Sequence, residues 1–193
     1  MNEHSINSSN NFIMGWYSDN TYYCDELIDY HKTGTQRPGM VSQGIDTNIK
    51  DSTDVNFNND VLSKIGYGKV LSACVELYLN RYEQAQGQYG FGIIEPCNII
   101  HYKPNGGFKI WHKERQSSEL PSAIRHLVWM TYLNNVVDGG ETEFLYQNVK
   151  IKAERGLTLI WPSDWTHTHK GIVSPTEEKY IVTGYFSFPL IKE

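Results

Sequence analysis

The sequence predicts a mainly β protein with supporting helices: a sandwich or barrel of short strands, with two N-terminal helices over one outer sheet face. Three observations carry that expectation. Aromatic residues make up 13% of the chain, with thirteen Tyr and five Trp, and such side chains fit the pleated, half-buried surface of a sheet. From Phe91 onward, short aromatic and β-branched segments follow one another with turn residues between them, the spacing of a closed or two-layered β fold. At 193 residues the chain is long enough for one full core and too short for two. No repeat or low-complexity linker divides it. Residues 1–193 are therefore expected to form a single domain, with a flexible tail over 1–11, a helical support region over 12–90 and a strand-rich core over 91–193.

Taken in order, the polar, Asn- and Ser-rich start gives way to Phe12-Ile13-Met14-Gly15-Trp16-Tyr17, which reads as a short strand. Ser18-Asp19-Asn20 offers capping side chains for a helix from about Thr21 to His31, with Tyr23, Leu27, Ile28 and Tyr30 on its packed face. Residues 33–58 are rich in Gly, Pro, Asn and Asp and predict loop with one short strand. Helical spacing returns from Asn59 to about Glu83, through Val61, Leu62, Ile65, Val70, Leu71, Cys74 and Tyr78, and Gly66 and Gly68 bend or split that helix. Strands then fall at 92–103, 107–114, 124–134, 147–152, 156–161, 166–172 and 178–188. Turns such as Pro104-Asn105-Gly106-Gly107, Asp138-Gly139-Gly140 and Glu154-Arg155-Gly156 separate them.

Composition narrows the function classes. The balance of 17 basic against 22 acidic residues gives a formal charge of −5 with no basic stripe, so long nucleic acid is not an expected partner. Cys24, Cys74 and Cys97 are far apart, odd in number and in no CxxC arrangement. They indicate neither a disulfide framework nor a zinc knuckle, and are expected to be reduced and partly buried. The start of the chain lacks the basic residues and apolar run of a secretory signal. No segment has the roughly 20 apolar residues that span a bilayer. A cytoplasmic location follows by default, in a host cell if the source is a virus.

Chemistry enters with two histidine motifs. His112-Lys113-Glu114 places an imidazole and a carboxylate two residues apart, so on a strand both reach one metal from the same face. A second strand carrying His169 completes a two-histidine, one-carboxylate face, a set that binds Fe(II) and leaves other coordination positions open. His167 lies two residues before His169, so spacing alone leaves either as the ligand.

Around these motifs the chain resembles the Fe(II)- and 2-oxoglutarate-dependent dioxygenases, specifically the prolyl 4-hydroxylase-like branch that includes the hypoxia-sensing prolyl hydroxylases. The resemblance runs from Ile94 to Phe188, about half the chain. It is carried by Ile99-Ile100-His101-Tyr102 before a Gly-rich turn, His126 to Asn134, Gly139-Gly140-Glu141-Thr142-Glu143-Phe144, Trp161 to Gly171 and Lys179 to Phe186. The resemblance implies a double-stranded β-helix (jelly-roll) core with Fe(II), 2-oxoglutarate and O2 as cofactor and cosubstrates. His112, Glu114 and His169 would be both the metal ligands and the catalytic set. Lys179, ten residues after His169, would pair with the far carboxylate of 2-oxoglutarate, and that spacing selects His169 over His167. Tyr102 would hydrogen-bond in the same pocket, Tyr132 and Thr183 would supplement it, and Tyr185 falls where relatives place an aromatic lining.

Two positions depart from the family pattern. Glu114 stands where Asp is usual and is one methylene longer; a carboxylate there favours hydroxylation over halogenation. Lys179 stands where Arg is common, keeping the charge and losing the two-pronged geometry. Other residues have plain structural readings. His101 and His126 are packed or solvated strand residues, and His4 and His31 are surface groups. Glu141 and Glu143 flank a turn, and Trp111, Trp161 and Trp165 are core or rim aromatics. The polar segment Arg115 to Pro121 is expected to border the substrate entrance. A prolyl residue in a peptide or protein is the leading substrate class; a free amino acid or other small molecule is the first alternative, and a non-catalytic β-helix binding module the second.

Overall fold

The structure is a computed structural model that describes residues 1–6 and 11–190. Its main wall is built on three antiparallel neighbours, β6 (Cys97–Tyr102), β8 (Arg125–Tyr132) and β13 (Lys179–Ser187), with β13 in the middle. β11 (Leu157–Pro162) adds to the free edge of β8, followed by β2 (Met14–Tyr17) and β1 (Asn2–His4). Beyond β6 lie β5 (Thr53–Phe57) and β3 (Arg37–Pro38). The eight strands run β1-β2-β11-β8-β13-β6-β5-β3.

A smaller wall of β10 (Val149–Ile151), β9 (Thr142–Phe144) and β12 (His169–Gly171) faces the main one. A single antiparallel bridge between His112 and His169 extends it, and the pair β4 (Lys50–Asp51) and β7 (Gly107–Phe108) lies alongside. Phe144 and Ile151 of the small wall pack with Val128, Met130, Leu159 and Trp161 of the large one. That interior holds the candidate site.

The outer face of the main wall is covered by α1 (Tyr22–Thr33), α2 (Asn59–Ile65) and α3 (Tyr67–Arg81). The split expected from the glycines occurs at Gly66, whose φ of 79° is a left-handed conformation that glycine adopts without steric penalty. Tyr23, Leu27, Leu62, Leu71 and Cys74 from the helices meet Ile99, Trp129, Val182 and Phe186 from the strands. The Tyr67 hydroxyl reaches Thr131 Oγ1 at 2.6 Å, which reaches Thr158 Oγ1 at 2.6 Å, so the three buried hydroxyls satisfy one another. A Cβ at Gly184 would lie 2.4 Å from the Trp129 ring, which therefore crosses β13 only because residue 184 has no side chain.

Several sequence expectations need correction. The tail over 1–11 is in part structured: Asn2–His4 pairs with β2, and the His4 ring nitrogen hydrogen-bonds the Tyr17 hydroxyl at 2.7 Å; residues 7–10 lie outside the described set. Residues 33–58 carry three short strands rather than one, and two of them join the main wall, so the 12–90 region is not support by helices alone. The strand expected over 107–114 is only Gly107–Phe108 followed by the one bridge at His112. Thr142–Phe144, read as the flank of a turn, is the central strand of the small wall. The three cysteines are free and buried. Among the described residues no helix is long and apolar enough to cross a membrane.

Candidate active site

Backbone contacts, rather than a regular strand, bring the first two candidate ligands into place. His112 exchanges both main-chain hydrogen bonds with His169, each at 2.9 Å. The chain then bends, and the amides of Glu114 and Arg115 both donate to the Ser163 carbonyl. The His112 ring stacks on Phe108 at 3.6 Å between centroids, and the His169 ring packs edge-on to Trp161 at 5.1 Å.

Each imidazole has its Nδ1 against a main-chain carbonyl, Ile110 O at 3.1 Å for His112 and His167 O at 2.9 Å for His169. A carbonyl can only accept, so each Nδ1 carries a proton, which leaves the lone pair of the neutral ring on Nε2. Those two nitrogens lie 3.5 and 3.6 Å from Glu114 Oε1. The three ligand atoms all fall within 4.8 Å of one another. Burial and the neighbouring His169 push the His112 pKa down, which keeps that ring neutral. Burial alone would raise Glu114, but hydrogen bonding and charge from the two imidazoles in their protonated form outweigh it and hold its carboxyl well below the usual range. Two ring nitrogens and one carboxylate, each ring oriented by a main-chain carbonyl, form a donor set that fits Fe(II).

The other oxygen of Glu114 is held separately. Tyr185 donates its hydroxyl to Oε2 at 2.8 Å, and the Arg125 guanidinium lies 3.8 Å over the Tyr185 ring. Arg125 is gripped by Glu95 through two bonds of 2.8 and 2.6 Å. Burial, then the Glu114 charge, push the Tyr185 phenol well above its ordinary value, so it stays a donor. Sequence reading placed Tyr185 in the pocket as an aromatic lining and missed Arg125 and Glu95, which are thirty residues apart and share no local spacing.

Lys179 and Tyr102 are cross-strand partners at the deep end of the same face. The Lys179 ammonium lies 5.0 Å from the Tyr102 ring and donates to the Gly140 carbonyl at 3.1 Å. Burial lowers its pKa to about 8, against an opposing pull from Glu141. A Cβ on Gly171 would sit 3.5 Å from that ammonium, so the absence of a side chain keeps the space beside it open. Tyr132 is buried here with its hydroxyl 2.6 Å from Thr142 Oγ1 and 3.2 Å from Ile151 O. Thr183 points to the same face and donates to Trp129 O at 2.8 Å.

The remaining histidines sort by their contacts. His167 does not share a strand face with His169, because residues 165–167 form a 3₁₀ turn; its ring is buried and bonds Asn11 O at 2.9 Å, while its carbonyl orients His169. His31 is buried, not a surface group, with its Nε2 2.9 Å from Thr53 O. His101 is buried and stacks on Tyr180 at 4.1 Å, and His126 packs against Phe188. Trp161 is core, Trp165 is exposed, and Trp111 turns outward to lie 4.3 Å from the Lys170 ammonium. Glu143 pairs with Lys170 at 3.2 Å on the outer side of the small wall.

Comparison with known proteins agrees with this geometry. Residues 97–187 match the family model of the 2OG-Fe(II) oxygenase superfamily. The chain is 25% identical over 181 residues to procollagen-lysine,2-oxoglutarate 5-dioxygenase 1 of Gallus gallus, covering 84% of this chain and 22% of that protein. It thus spans about a fifth of that relative's length. Among solved structures it superposes on a prolyl hydroxylase from Trichoplax adhaerens, in complex with a hypoxia inducible factor peptide fragment, with a TM-score of 0.70, 18% identity, and 92% and 84% of the two chains covered. A viral collagen prolyl hydroxylase from Paramecium Bursaria Chlorella virus-1 gives 0.67, 19% identity, and 91% and 95% coverage. These likenesses establish the double-stranded β-helix fold.

Proposed function

We propose that the chain is a 2-oxoglutarate- and Fe(II)-dependent dioxygenase, a reading supported by the match of residues 97–187 to the 2OG-Fe(II) oxygenase family model, and that it hydroxylates a prolyl residue in a peptide or protein. In this reading His112, Glu114 and His169 hold the iron, Lys179 binds the far carboxylate of 2-oxoglutarate, and Tyr102, Tyr132 and Thr183 line that pocket. The observation that carries the chemistry is the convergence of His112 Nε2, His169 Nε2 and Glu114 Oε1. Fe(II) with 2-oxoglutarate and O2 supplies the oxidising power for hydroxylation, with succinate and CO2 as coproducts.

The chain's own groups then do three things. The main-chain carbonyls of Ile110 and His167 keep both imidazoles in the ligating tautomer. Lys179 exchanges the neutral Gly140 carbonyl for a carboxylate, a stronger charge-assisted bond in a buried setting. The apolar residues around it, Ile100, Val128, Met130 and Ile181, keep the deep end dry.

The prolyl assignment draws on the fold likeness and on the charges near the metal triad. Arg125 pairs with Glu95, Arg115 with Asp164, and Lys50 with Asp54. Walls whose charges are internally paired suit an uncharged substrate side chain. A lysyl substrate is the competing reading, because the Gallus gallus relative's name specifies lysine. The deciding experiment offers Pro-containing and Lys-containing peptide libraries with Fe(II) and 2-oxoglutarate and follows succinate and peptide mass. A single oxygen gained on proline supports the proposal; oxygen gained only on lysine overturns it. Reducing, cytosolic surroundings are part of the same proposal, supported by three buried free thiols.

A further inference from the structure

We infer that Tyr185 is a positioning residue that fixes how Glu114 binds the metal: by occupying Oε2, its hydroxyl leaves Oε1 alone to serve as ligand. The inference rests on the reading of His112, Glu114 and His169 as metal ligands and goes beyond it. Glutamate has two equivalent oxygens and one more rotatable bond than aspartate, so an unrestrained Glu114 can turn either oxygen, or both, toward an ion. Here the two oxygens have separate tasks. Oε1 faces the two imidazole nitrogens at 3.5 and 3.6 Å, and Oε2 faces the Tyr185 hydroxyl at 2.8 Å.

The support is built from behind. The Arg125 guanidinium covers the Tyr185 ring at 3.8 Å and also donates to the Glu114 main-chain carbonyl at 3.0 Å. Glu95 takes the Arg125 charge in two short bonds, so Arg125 steers Tyr185 while staying 3.8 Å from Glu114 Oε2. An aspartate at position 114 would end one methylene short of the phenol. Tyr185 and the longer ligand therefore act as a pair, which gives a physical role to the glutamate of this chain.

The test is a double-mutant cycle read by metal affinity. Fe(II), and Co(II) as an air-stable probe, are titrated anaerobically in competition with a chromogenic chelator, with thermal melting to confirm that each variant is folded. Tyr185→Phe keeps the ring and the Arg125 stack, and is expected to weaken metal binding by about tenfold, as loss of a partner to a ligand does. In the Glu114→Asp background the same Tyr185→Phe change is expected to add less than about a factor of two. Glu95→Gln, which loosens Arg125 without touching the phenol, is expected to weaken binding in the same direction by a smaller factor. Wild-type affinity in Tyr185→Phe, or an equal loss in both backgrounds, overturns the inference while leaving the metal site standing. A folded wild type that binds neither ion overturns the inference together with the reading it rests on.

Discussion

Along β8, Leu127 and Trp129 turn to the helices while Val128, Met130 and Tyr132 turn to the small wall, and the same alternation divides β6 and β13. The helix side is filled by large apolar rings, with the three mutually bonded hydroxyls of Tyr67, Thr131 and Thr158 and the buried rings of His31 and His101 among its few polar groups. The opposite side buries the Lys179 ammonium and the His169 ring among the apolar residues and half-buries Glu114 and His112. Ionised groups cost free energy to bury, and apolar burial gains it. One face of a single sheet therefore stabilises what the other face needs for chemistry.

Two substitutions on the two faces break that division most sharply. Trp129→Ala empties the centre of the helix side and should cost about 3–5 kcal/mol in stability, seen as a lowered urea midpoint. His169→Ala should cost only about 1 kcal/mol yet abolish the visible band formed when 2-oxoglutarate chelates bound iron. Equal stability losses in the two variants would show that the faces are not separable in this way.

A milder change sharpens the comparison within the site face. Lys179→Met retains the length and apolar stem and removes the charge. Losing a charged hydrogen bond to a carboxylate should weaken 2-oxoglutarate binding by roughly 10- to 100-fold, while iron affinity stays near wild type. Parallel losses of both affinities would mean that the deep end and the metal end act as one unit.

The smallest effect is a pH dependence. With its pKa lowered to about 8, Lys179 is charged below that value and loses its proton above it. If Lys179 pairs with the carboxylate as proposed, its charged form does the binding, so affinity for 2-oxoglutarate should be level below about pH 8 and weaken above it, approaching tenfold per pH unit. Lys179→Arg should remove the break, because guanidinium stays charged. A break that survives in Lys179→Arg would assign the titration to another group.

How far the sequence revealed all this depends on element length and on whether a residue's partner is local. The long strands over 125–132, 157–162 and 179–187 and the helices divided at Gly66 are legible because each contains several periods of its pattern. Strands of two or three residues, such as Arg37–Pro38, Lys50–Asp51 and Thr142–Phe144, contain no full repeat and exist only through their partners. The His-x-Glu spacing was informative although the regular strand it suggested is absent, since bonds from Glu114 and Arg115 to Ser163 reproduce the direction a strand would have given. Glu95 with Arg125, and the burial of His31, are tertiary facts without a sequence signal. Tyr185 is legible as an aromatic of the pocket, but its hydroxyl contact with Glu114 arises only from the tertiary fold.

The reciprocal main-chain bonds between His112 and His169 also bear on when the metal site comes into being. Both imidazoles are set by paired backbone and by main-chain carbonyls, bonds that need no ion to form, so on the proposed reading folding alone assembles the ligands. Loading then adds stability by mass action alone, RT ln(1 + [L]/Kd), unlike small zinc domains whose fold depends on the ion. A chelator should leave a folded, reloadable protein, and the ion it carries in a cell is then decided by supply and exchange rather than at the moment of folding.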